Sequence, residues 1–344
     1  MMKTVWVGLL LAATAYNPLA AQEVSPANVA TLQVRDLEAI AARQSGPAIV
    51  ELKPGNRWML ICCGLPGDEV HREKLTSAVE RIVSATEPVF EVAPNRLRVL
   101  VGDEAMAEAL KDSKARDSVG GTEVCTADEI AASLQTLAKQ IQANDSLWVI
   151  VMGHAQLYSG RSTFNVKGKD FDATEFSKWL EPVQSRERVL MLTMPVSGFW
   201  IKPLRGPKTV LISATDTDFE FTGTEMPYAL ANVLSGNSEQ ALEDIDQDGS
   251  ISLLDLYLAT SLEVHSTFKS MQRLQTEHAL IDDNGDGVGR ELQEPYIPVE
   301  AAEGDVRTKP VTITKVPTAN SDGDFARKMK LIKPNIVPRE STAE

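Results

Sequence analysis

Two stretches of this chain hold residues whose types and spacing could do chemistry. In the first, Asp244, Asp246 and Asp248 alternate, Gly249 follows, and Ser250, Ser252 and Asp255 continue the run. Alternating carboxylates ahead of a glycine turn gather oxygens around one point, which is the ligand set of a hard cation such as Ca²⁺. In the second, His154 follows the apolar run Leu147–Met152, and Ser197-Gly198 follows the apolar run 188–192. An imidazole at a strand end is a candidate acid–base group. Cys63, at the end of another apolar run, carries a thiol.

The elements that must position these residues follow from pattern. Short apolar runs bounded by turn signals predict buried parallel strands over 57–65, 96–101, 147–152, 188–192 and 208–213. Between them, Leu75, Val79, Ile82 and Val83 share one face of a helix over 73–84. Thr126 begins a second helix over 126–143, with Glu129 three residues on and a stripe of Ile130, Leu134, Leu137 and Ile141. A further helix is expected over 226–234. Strands alternating with helices imply right-handed crossovers and a parallel sheet. In such a sheet chemistry collects at the carboxyl ends of the strands, where His154 and Ser197 both fall.

Gly153-His154-Ala155 after one strand and Met194-Pro195-Val196-Ser197-Gly198 after the next resemble the caspase and legumain (clan CD) cysteine peptidases. The resemblance covers roughly 55–235 and implies a caspase-like α/β fold with strand order 2-1-3-4-5. It implies the general acid and base at His154, and it places Pro195 where the nucleophilic cysteine belongs, so that His154 reads as an inactive remnant, a polar strand-end residue satisfied by hydrogen bonds. Proline has no nucleophile and no N–H to donate to an oxyanion, so the resemblance implies the fold without the peptidase chemistry. Ser197 lies two residues past the nucleophile position and is aimed differently. A Cys63–His154 pair is the other rescue. His71, His265 and His278 show no metal-ligand spacing around His154. The polar segment after His154, with Ser159-Gly160-Arg161-Ser162 and Trp179, is expected as a hairpin and a helix bordering a groove.

The run 244–255 fits a twelve-residue EF-hand loop. Asp244, Asp246 and Asp248 fall at positions 1, 3 and 5, Gly249 at 6, Ser250 at 7, Ser252 at 9 and Asp255 at 12. The closing Asp in place of Glu is similar to dockerin-type loops. Ile251 at position 8 suits a short β contact, and a helix is expected to leave from Leu253. A second loop repeats the spacing with Asp282, Asn284 and Asp286, then Gly287, but its twelfth residue is Gln293, a poor closing ligand. Glu291 and Glu294 are near. The first loop is also readable as an Asx-rich turn at a helix start, and the second reads as degenerate or differently closed. The helical stretch between them would suit paired EF-hands or an acidic lobe packed on the sheet.

Composition narrows the function. A formal charge of −14 argues against nucleic acid as a partner and suits cations. Lys3, an apolar run to Ala15 and small residues to Ala21 read as a secretory signal, too short to span a membrane. Cys62, Cys63 and Cys125 form no disulfide framework, although one bridge to Cys125 is open. The expected organisation is a signal peptide at 1–21, a leader helix at 22–54 and a caspase/legumain-like domain at 55–236. An EF-hand-like calcium-binding segment follows at 237–298, then a Pro-containing tail or surface wrap at 299–344. The reading is an exported calcium-binding pseudopeptidase that binds or scaffolds a peptide or protein partner, with no membrane insertion. An active thiol hydrolase using Cys63 with His154, and a purely structural calcium-binding protein, are the alternatives.

Overall fold

The computed structural model describes residues 55–112, 121–217, 223–238, 240–297 and 317–333. The expected signal peptide and leader helix lie outside the described residues.

The scaffold is a seven-stranded sheet made of β1 (Arg57–Cys63), β2 (Leu97–Val101), β3 (Thr122–Val124), β4 (Ser146–Met152), β8 (Glu187–Leu192), β9 (Thr209–Ser213) and β10 (Leu280–Asp282). Their order is β10-β9-β8-β4-β1-β2-β3. Every pairing is parallel except that of β10 with β9. The five strands expected from the sequence are β1, β2, β4, β8 and β9, and they stand in the order 2-1-3-4-5. That order is shared by other doubly wound folds. The two edge strands are three residues each, too short to show a hydrophobic period.

Strand alternation divides the core between two faces. Met59, Ile61, Cys63, Trp148 and Ile150 point to one side. There they meet α1 (Glu69–Phe90), α2 (Glu104–Asp112), α6 (Met226–Ser235) and α7 (Leu253–Ser270). Leu60, Cys62, Leu147, Val149 and Val151 point to the other, against α3 (Ala127–Gln140), α4 (Ala173–Leu180) and α5 (Gly198–Leu204). Cys62 and Cys63 therefore lie in different halves of the core, and all three cysteines are free thiols. Each Leu, Ile or Val buried this way contributes roughly 1.5–3 kcal/mol.

Local signals set the helix ends. Asp68 caps α1 by accepting from the N–H of His71, and Glu91 ends it at φ 55°. The helix is longer than 73–84 at both ends. Thr126 caps α3 by accepting from Glu129 N–H. The polar excursion after His154 forms an antiparallel hairpin, β5 (Ala155–Tyr158) and β6 (Arg161–Phe164), joined by Ser159 and Gly160 at positive φ. The two-residue strand β7 (Phe171–Asp172) then leads into α4.

Helix α7 is the largest departure from pattern. All of 253–264 is buried, so this helix needs cover on every side. Helix α6 packs against it, and the C-terminal segment 317–333 also contacts it, with Ala326, Met329 and Leu331 in the same core. The segment after the strand domain and residues 317–333 thus share the core of the sheet.

Candidate metal centre

The first Asp-rich loop closes on itself through its backbone. Asp244 Oδ1 accepts from Asp248 N–H at 3.0 Å and its Oδ2 from Gly249 N–H at 2.9 Å. Gly249 sits at φ 92°, which a side chain would strain. Asp246 Oδ1 accepts from Asp248 N–H at 3.1 Å. Asp255 reaches back from the first turn of α7. Its Oδ1 accepts from Ile245 N–H at 2.7 Å and Asp246 N–H at 3.3 Å. Its Oδ2 accepts from the N–H and hydroxyl of Ser252, both at 2.8 Å, completing a capping box.

The product is a compact acidic site. Asp244, Asp246 and Asp255 each place one oxygen within 4.8 Å of the others. Ligands on opposite sides of one Ca²⁺ stand about 4.6–5.2 Å apart, twice the 2.3–2.6 Å bond, so the three fit around a single cation of that size. Asp246 and Asp255 are completely buried. Asp246 Oδ2 has no hydrogen-bond partner. Burial, and next the charge of Asp255, push the Asp246 carboxyl up to about 6. Burial also raises Asp255, against the hydrogen bonds it accepts. A buried oxygen with no donor is a costly arrangement, and a cation there would relieve it.

The other expected ligands are engaged differently. Asp248 Oδ1 accepts from Ser250 N–H at 3.0 Å and Ser250 Oγ at 2.6 Å. Its Oδ2 faces Lys330 Nζ at 3.6 Å and Arg327 at 3.8 Å. Burial alone would raise Asp248, but Ser250 and Lys330 hold it below the usual range. Ser252 acts as the helix cap. The short β contact at position 8 is made with the C-terminal segment: Leu331 N–H donates to Ile251 O at 3.0 Å, and Leu253 N–H to Met329 O at 2.9 Å.

The second loop follows β10 and repeats the first. Asp282 Oδ2 accepts from Gly287 N–H, Asn284 Oδ1 from Asp286 N–H, and Asp286 Oδ1 from Val288 N–H, at 2.9, 2.8 and 2.8 Å. Gly287 is at φ 81°. Gln293 does not close it: its Oε1 accepts from the buried Tyr257 hydroxyl. Glu291 faces His278 at 3.0 Å. A strand enters this loop, and α7 runs unbroken to Ser270, so no helix leads directly into it.

At the strand ends the residues of the peptidase pattern are arranged as follows. His154 is half-buried after Gly153, and its Nε2–H donates to Pro66 O at 3.0 Å. The His71 ring stands edge-on at 5.0 Å, with its Nδ1 2.9 Å from Asp68. His71, Lys74, His154, Tyr228, Arg273 and Glu277 line a cavity of about 160 Å³. Cys63 is completely buried on β1, paired in register with Met152, two residues before His154. Its Sγ lies 3.8 Å from Gly64 O, and burial pushes the thiol far up. Pro195 is buried. Val196 holds φ 48°, strained for a β-branched residue. Ser197 Oγ accepts from Ala214 N–H at 3.0 Å and Thr215 N–H at 3.3 Å, pinning the end of β9.

Sequence reasoning missed His71 as a cavity residue and the role of Lys330, because neither lies near its site in the chain. Neither models of known protein families nor curated proteins give a match to this chain.

Proposed function

We propose that this is an exported calcium-binding protein whose α/β sheet has the caspase/legumain-like arrangement without its peptidase nucleophile, and which works by binding a peptide or protein. One observation carries the calcium reading: Asp244, Asp246 and Asp255 converge on one buried point, and Asp246 Oδ2 has no donor. What supports the loss of cleavage is chemical. Pro195 offers no nucleophile, Ser197 is held by two backbone N–H groups, and the Cys63 thiol is buried and protonated. The apolar leader in the sequence supports export. The cavity beside His154, with Lys74, Arg273 and Tyr228 on its wall, supports a binding role at this end of the sheet.

The test is thermal melting and calorimetry of the full chain with and without Ca²⁺. Ca²⁺ at about 100 times Kd is expected to add about 2.7 kcal/mol of stability. The Asp closure points to a weak site, with Kd on the order of 10⁻⁵–10⁻³ M. Asp246→Asn is expected to abolish that gain while leaving the chelated protein as stable or more so. Identical melting in Ca²⁺ and chelator, with no heat of binding, would reduce the loop to a turn. Cleavage of a peptide library that His154→Ala abolishes would overturn the non-peptidase reading.

A further inference from the structure

The second loop lacks a ligand at position 12, and the fold supplies one from elsewhere. In the first loop the closing carboxylate, Asp255, accepts through Oδ1 from the N–H groups at positions 2 and 3, at 2.7 and 3.3 Å. In the second loop those positions are Asp283 and Asn284. Their N–H groups donate to Asp322 Oδ1 at 3.1 and 3.4 Å. Asp322 lies in the C-terminal segment, far beyond Gln293 in the chain, yet it occupies the relation to this loop that Asp255 has to the first.

A second observation is independent of the turn geometry. Among the described residues, the carboxylate oxygens buried without a hydrogen-bond partner are Asp246 Oδ2 and Asp322 Oδ2, one at each loop. The Asp322 side chain is completely buried. Arg290 Nε stands 3.0 Å from Asp322 Oδ2, off the line of a hydrogen bond, and its Nη2 donates to Asp286 Oδ2 at 3.1 Å. The Arg290 side chain is half exposed. It can swing into solvent and leave both carboxylates facing the loop.

We propose that the second loop is a second divalent-cation site, with Asp282, Asn284 and Asp286 at positions 1, 3 and 5 and with Asp322 as its closing ligand. Arg290 is the resident counter-charge that the cation displaces. The residues differ from those of the first loop, so this site stands or falls apart from the one above, although both rest on the same hard-cation chemistry. Binding here also fastens the C-terminal segment to the sheet edge, because Asp322 belongs to that segment.

The experiment is calorimetric titration of the chelator-stripped full chain with Ca²⁺, with bound metal counted by native mass spectrometry. Wild type is expected to take two ions. Asp322→Asn keeps an oxygen for the two N–H groups but removes the charge, and is expected to take one ion, with second-site affinity reduced at least ten-fold. Asp286→Asn, at an exposed side chain, is expected to weaken the same site and serves if Asp322→Asn fails to fold. Asp246→Asn is expected to remove the other ion. Arg290→Gln is expected to tighten the second site several-fold. One ion in wild type, lost in Asp246→Asn and kept in Asp322→Asn and Asp286→Asn, would overturn the second site. So would a second ion that appears only in Arg290→Gln, since Arg290 would then be a permanent counter-ion. One ion lost in Asp322→Asn but kept in Asp246→Asn would uphold this site and overturn the first.

Discussion

Asp283 and Asp322 cap each other's segments. Asp322 Oδ1 accepts from Asp283 N–H at 3.1 Å, and Asp283 Oδ1 accepts from Gly323 N–H at 2.9 Å. Asp283 Oδ2 also accepts from Phe325 N–H at 3.0 Å and Ala326 N–H at 2.7 Å. The two residues lie on opposite sides of the undescribed stretch 298–316, and their exchange fastens the C-terminal segment over α7.

Asp283→Ala removes three acceptor contacts at once and leaves buried N–H groups unpaired. The expected loss is about 1–3 kcal/mol in denaturant unfolding. Limited proteolysis should then cut within 317–333 much faster than in wild type. Unchanged protection of that segment would mean that its apolar residues, Ala326, Met329 and Leu331, hold it without the aspartate.

Metal-free stability should fall as pH rises through 6. Burial pushes both Asp246 and Asp283 up to about 6, above an unfolded value of about 4. A carboxyl of this kind binds its proton more tightly when folded. Its stabilising share is complete below about pH 4 and lost as pH rises through about 6. In chelator, the melting temperature is expected to climb between pH 7.5 and 5, and Asp246→Asn with Asp283→Asn should flatten the climb. In saturating Ca²⁺ the trend should weaken or reverse, because protons compete with the cation. A chelated wild type that loses stability over that interval would contradict the burial of these two groups.

The thiols should be silent in the native state. Cys62, Cys63 and Cys125 are buried, and burial pushes Cys63 and Cys125 upward, so little thiolate is available to react. A chromogenic disulfide reagent at pH 7.5 is expected to label none of them until denaturant is added. Fast labelling of Cys63 in the folded protein, slowed by His154→Ala, would revive the thiol hydrolase.

Ser197 is expected to act on stability and not on chemistry. Its oxygen receives two buried N–H groups at the end of β9, and Ser197→Ala leaves Thr215 N–H without that acceptor. A loss of about 1–3 kcal/mol is the expected reading from unfolding curves. Unaltered stability would show that Leu192 O, which already accepts from Ala214 N–H, is enough to hold this corner.

The sequence determined the five inner strands of the sheet, because a strand buried on both faces must be apolar throughout. The run Leu147–Met152 and its partners carry that mark whatever surrounds them. It also determined the first acidic loop, whose carboxylates lie within twelve residues and whose turn needs Gly249 at φ 92°. The local cap at Thr126 was legible for the same reason of short range; Ser252 read as a ligand position, and its role as the cap of α7 came from the structure.

Only the tertiary structure decided what required distant segments to meet. Asp322 reaches the second loop across some forty residues, and Lys330 reaches Asp248 across some eighty. No spacing rule encodes such meetings, because the chain between them can follow many paths. The all-round burial of α7 likewise hid its partners: a helix apolar on every side shows that it is covered and not by what. The His71–His154 contact depends on how α1 packs beside β4, which side-chain volumes settle in three dimensions.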